Sequence, residues 1–118
     1  MATDAYIGDP FVFQVVYLDD TGTPIPVTNV RLDVFVYDTT TGDRILLVTG
    51  GVMSLVVPPD PSRYYYPYTI PPLLADGTVL YAEYRATVTS TGDTPVSSDV
   101  LNLHARPSDL GLRTRFVR

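Results

Sequence analysis

The sequence predicts an all-β domain: a single antiparallel β-sandwich of about seven strands, followed by a C-terminal arm. Three observations carry that expectation. Apolar and polar residues alternate with period two along several runs, which gives each run one apolar face. Turn residues interrupt these runs roughly every 8 to 12 positions, the spacing of short strands in a sandwich. No segment of helical length carries an apolar stripe at 3.6-residue spacing without a glycine or proline breaking it. A small closed barrel satisfies the same pattern, because period two does not separate the two architectures.

The N-terminal MATDAYIGDP is acidic and turn-rich. Residues 11–18 (FVFQVVYL) form a first strand, dense in the aromatic and β-branched side chains that suit a pleated surface. Asp19-Asp20-Thr21-Gly22-Thr23-Pro24 ends it, since aspartate caps turns, glycine supplies positive φ and proline blocks further pairing. Residues 30–37 follow, with Leu32, Val34 and Val36 on one face and Arg31, Asp33, Phe35 and Tyr37 on the other. A loop at 38–43 leads into a strand at 44–48. Thr49-Gly50-Gly51 is then expected to turn the chain into another strand at 52–57. Prolines 58, 59 and 61 force an extended crossing.

The stretch 63–72, RYYYPYTIPP, follows that crossing. Extended, it sets Tyr64, Tyr66 and Tyr68 on one face and Tyr65 and Pro67 on the other. Pro67 cannot donate to a ladder, so the strand is expected at a sheet edge or broken there. LLADG at 73–77 makes a turn or one helical turn. The longest alternating run is 78–89, with Leu80, Ala82, Tyr84, Ala86 and Val88 facing one way and Tyr81, Glu83, Arg85 and Thr87 the other. A hairpin loop at 90–93 leads to a last strand over 96–103.

The chain has 118 residues, 45% hydrophobic and 18% charged, which suits one folded domain with one core. The boundary is placed after Leu103, giving a sandwich over 1–103 and a basic arm over 104–118. All eight basic residues are arginine. Up to Leu103 four arginines face twelve acids, a net of −8; beyond it four arginines face Asp109 alone, a net of +3. Such polarity suits arm-to-body contacts, and a solvated tail is the plain alternative. Within the arm Leu110, Leu112, Thr114 and Phe116 alternate with Gly111, Arg113, Arg115 and Val117, as in a segment laid on an apolar groove.

Catalysis is poorly supplied. His104 is the one histidine and Glu83 the one glutamate, with no lysine or cysteine, so nucleophile-base pairs reduce to a hydroxyl and one imidazole. The aspartates sit mostly in turns that already explain them. No enzyme, cofactor or metal site is expected: Asp19-Asp20-Thr21-Gly22 lacks the alternating ligand spacing of a calcium loop, and one histidine does not make a zinc site. No apolar run reaches the roughly 20 residues of a membrane span, so no membrane partner is expected. The acidic body disfavours nucleic acid, which only the tail, with Arg113, Arg115 and Arg118 around Phe116, could bind. Two partner-binding elements remain: the tyrosine strand (Tyr64, Tyr66, Tyr68) and the arm (Arg106, Arg113, Arg115, Phe116, Arg118). For the tyrosines the plain alternative is a strand covered by the domain's own loops.

Gly8-Asp9-Pro10 leading into FVFQVVYLDD, then TGTPIPVTNVRLDVFVYD, ADGTVLYAEYRATVTSTGD and VSSDVLNL resemble immunoglobulin-like β-sandwich domains of tailed-bacteriophage virion proteins. The likeness spans residues 7–103 and rests on strand and turn pattern. It implies a non-enzymatic virion structural protein, first of all a capsid decoration (cement) protein that sits on the capsid exterior and bridges capsid subunits. Its partners would be the major capsid protein, copies of itself or both, and if it self-associates a homotrimer at a threefold position is implied. A tail, baseplate or fibre module that binds host glycan or protein is the alternative, and a free bacterial adhesion domain is a third. The disulfide and buried tryptophan of antibody-type domains are absent; Tyr81 or Tyr84 would fill the tyrosine-corner role.

Overall fold

The computed structural model describes residues 3–56 and 63–105. Eight strands form among them: β1 (Thr3–Tyr6), β2 (Pro10–Val16), β3 (Val27–Tyr37), β4 (Arg44–Val52), β5 (Ser54–Leu55), β6 (Arg63–Thr69), β7 (Val79–Val88) and β8 (Val96–His104). They make a five-stranded sheet in the order β1-β8-β7-β3-β4 and a three-stranded sheet in the order β2-β6-β5. Only β1 and β8 pair in parallel; every other pairing is antiparallel. The fold is all-β, without a helix among the described residues, and two open sheets take the place of the closed barrel that the alternation also allowed.

The alternation read from the sequence becomes sidedness. Leu32 and Val34 on β3, Leu80, Ala82, Tyr84 and Ala86 on β7, and Leu101 and Leu103 on β8 are buried in one apolar cluster, together with Phe13 from β2 of the smaller sheet. The two sheets therefore share a core. Each fully buried Leu, Ile or Phe there contributes about 1.5–3 kcal/mol of transfer free energy. The chain changes sheet at residues 7–9. Ile7 N–H still donates to His104 O at 2.9 Å, whereas Gly8 N–H donates to Ile70 O at 3.0 Å and Ile70 N–H to Asp9 O at 2.9 Å.

Three elements differ from the sequence reading. The acidic N-terminus holds a strand, β1, because Ala5 finds a buried place opposite Leu103. The expected turn at Thr49-Gly50-Gly51 is absent, and β4 runs straight through it. Pairing steps from Leu32↔Gly51 to Val34↔Val48, so β4 carries an extra residue there, and Gly50 at φ 59° takes up the bulge. Asp33 Oδ1 accepts the Gly50 N–H at 2.7 Å, which satisfies a donor that the bulge takes out of the ladder. Gly51 is required for a different reason: a Cβ would lie 2.8 Å from both Tyr66 Cε2 and Val48 Cγ1. The third difference is β6, expected at an edge or broken. It is the middle strand of the smaller sheet, paired with β2 from Arg63 to Thr69 but with β5 only at Tyr64 and Tyr65. Pro67 lies beyond the reach of β5, where a missing donor is tolerated.

Candidate functional site

Period two on β3 sends Asp33, Phe35 and Tyr37 away from the core, and on β7 it does the same to Tyr81, Glu83 and Arg85. The register sets Phe35 opposite Tyr81 and Asp33 opposite Glu83. On the other flank of Phe35 lies Leu46 of β4. The outer face of the larger sheet is thus aromatic at one end and charged toward its middle.

Phe35 is only 4% exposed although it points outward. Tyr81 stacks on it with centroids 5.6 Å apart and planes 12° apart, Tyr37 meets it edge-on at 5.6 Å, and the Arg44 guanidinium carbon lies 4.1 Å over its ring. Tyr37 also packs edge-on against Tyr81 at 5.1 Å. Such aromatic pairs contribute about 0.5–1.5 kcal/mol beyond burial, so the rings hold one another in place. Tyr37 (44% exposed) and Leu46 (49%) form the accessible surface of this group.

The charged part is anchored by Asp33, the single buried charged residue among those described. Its Oδ2 accepts a hydrogen bond from Arg85 Nη2, its Oδ1 holds Gly50, and Glu83 Oε1 lies 3.6 Å from Arg85 Nη1. The carboxylate is therefore satisfied on both oxygens. Arg85 remains half exposed, with Nη2 on Asp33 and Nη1 facing Glu83.

On the inner side, Tyr64, Tyr66 and Tyr68 are partly buried and pack against the core. Tyr64 donates its hydroxyl to Val27 O at 3.2 Å. Any contact through these three rings has only their outer edges available. From the same strand, Tyr65 faces the opposite way, beside Val12, Gln14 and Leu55. Arg106, Arg113, Arg115, Phe116 and Arg118 lie outside the described residues. Neither tyrosine-corner candidate bonds upstream backbone: Tyr84 donates to Asp99 Oδ2 at 2.8 Å, and Tyr81 belongs to the outer aromatic group. Burial, then the bond to Asp99, pushes the Tyr84 phenol well above its ordinary value.

Sequence reasoning set Phe35, Tyr37 and Tyr81 on the outer face without assigning them a contact role. The available signal was two neighbouring strands that both direct aromatics away from an already complete apolar face. Among the described residues no group of three or more His, Cys, Asp or Glu could hold a metal ion, and no helix is long and apolar enough to cross a membrane. His104 contacts Asp4 Oδ1 at 3.0 Å on the surface. The described residues present broad surfaces and strand edges. No protein-family model matches the chain, and no curated protein matches it.

Proposed function

We propose that the chain is a non-enzymatic structural protein of a tailed-phage virion, a decoration (cement) protein that lies on the capsid exterior and bridges capsid subunits, built on an immunoglobulin-like sandwich. Its strand order supports the fold reading: β1 beside β8, then β7, β3 and β4, facing β2-β6-β5, follows the chain order in which such sandwiches assign strands to their two sheets. The observation that carries the functional reading is the outer face of the larger sheet. A pre-arranged aromatic group, a half-exposed arginine and a nine-residue edge strand that exposes Leu46 and Val52 on that face suit attachment to a broad protein surface.

The test uses the full chain and phage heads lacking it. Leu46→Asp should weaken attachment by about 2 kcal/mol or more if Leu46 is an interfacial anchor, with an unchanged melting temperature. Full attachment by the folded variant overturns the assignment of this face. A second reading, an adsorption module of tail, baseplate or fibre, draws on Tyr37 and Tyr81 standing beside Asp38, since ring surfaces next to a carboxylate suit a sugar. It requires binding to host-cell glycans that Tyr37→Ala removes.

A further inference from the structure

The end of the larger sheet where β3 stops and β4 starts holds a groove of about 540 Å³. Tyr37, Ile45, Leu74, Val79 and Tyr81 line it together with Asp38, whose Oδ1 accepts the Thr40 N–H of its own loop at 2.7 Å. Asp43 closes the same loop, its carbonyl accepting the Asp38 N–H at 2.8 Å. Beside the groove runs β4, whose outer edge is unpaired among the described residues and carries no lysine or proline to blunt it. We propose that this groove and edge receive the C-terminal arm, residues 106–118, of a second copy of the chain, with the arm's apolar residues in the groove and its arginines at Asp38 and Asp43.

Three observations select that occupant. The arm has the complementary charge, +3 against a body of −8, and its Leu110, Leu112 and Phe116 alternate with Arg113 and Arg115, which suits a cleft lined mainly by apolar and aromatic side chains with Asp38 among them and Asp43 in the adjoining loop. It also starts at the correct end of the molecule. Ala105 N–H is held by Asp76 Oδ1 at 2.8 Å, and the next residues along, Gly77 and Thr78, line the groove. Third, β8 delivers the chain outward at that end, with β7 and β3 standing between it and β4 of the same copy. Folding back onto its own groove requires a reversal across the turn that contains Leu74. Two copies meeting end to end need none, and because exit and dock share one end, mutual exchange closes a symmetric assembly. Thirteen residues extend up to about 43 Å, ample for the crossing. The inference concerns the isolated chain and stands whether or not the protein decorates a capsid.

Sedimentation velocity on full-length protein tests it. Wild type should sediment as an oligomer. Arg113→Glu with Arg115→Glu reverses the arm, and Asp43→Arg with Ile45→Arg reverses the rim; each double variant alone should lose at least about tenfold in association. Mixed in equal amounts, the two should associate again, since every arm then finds a rim of opposite sign. The arm substitutions lie outside the sandwich, so they report association independently of any folding defect in the rim variant. A monomeric wild type, an arm variant that assembles like wild type, or a mixture that stays monomeric while both variants are folded overturns the proposal.

Discussion

Gly51 shows how a single residue can be fixed by its neighbours rather than by its own backbone. An added Cβ meets the Tyr66 ring and Val48, so Gly51→Ala should cost about 1–3 kcal/mol of overpacking, measured by urea denaturation. Gly42, at φ 78° with open space around it, should lose only about 1 kcal/mol on the same substitution, from backbone strain alone. Tyr84 is a second test. Phe at this position removes the hydrogen bond to Asp99 and should cost about 1.5 kcal/mol. Because burial and Asp99 favour the neutral phenol in the folded state, stability from this group is complete below the ordinary tyrosine value of 10.0 and falls as pH rises beyond it. Tyr17 and Tyr68, both raised mainly by burial, act in the same direction. Alkaline denaturation should therefore be shallower in Tyr84→Phe than in wild type. The sequence already placed Tyr84 on the inner face by alternation; its bond to Asp99, across a strand pair, has no local signal.

At the scale of elements, β7 and residues 30–37 of β3 were legible to the individual side chain, because each run is long, alternates and has one face in the core. The start of β3 was not, since a register shift between Thr28 and Arg31, with Asn29 at φ 54°, breaks the alternation there. β4 was not. Thr49-Gly50-Gly51 has the composition of a turn, and what keeps it in a strand is a carboxylate 17 residues away, with Gly50 bulged toward Asp33. Asp33→Ala should thus cost about 2–3 kcal/mol, since it leaves the Gly50 N–H and Arg85 without their acceptor. Arg85→Ala should cost about 1 kcal/mol or less, because that side chain is half in water and its pair is screened. A double-mutant cycle on the two positions reads their coupling directly. In β6 the sequence identified the proline's constraint but not its solution, a partner strand two residues long that ends before Pro67. The split of tyrosines between two faces was visible; that Tyr64, Tyr66 and Tyr68 belong to the core side depends on which sheet β2 and β6 form together.

For the whole molecule, the all-β class followed from alternation and turn spacing, whereas the choice of two open sheets over a closed barrel and the contact surfaces depend on where strands meet. Phe35, Tyr37 and Tyr81 come from β3 and β7, and Arg44 and Leu46 from β4, and only the register joins them into one face. A surface of this kind holds a few side chains in place by packing, and the proposed attachment would act through those anchors. The central claim is attachment to the outside of a phage head, and the most direct measurement locates and counts the chain in purified particles, by antibody-labelled electron microscopy with quantitative mass spectrometry. Label over the head is expected, with a copy number that scales with that of the major capsid protein. Label confined to the tail, or absence of the chain from the particle, contradicts it.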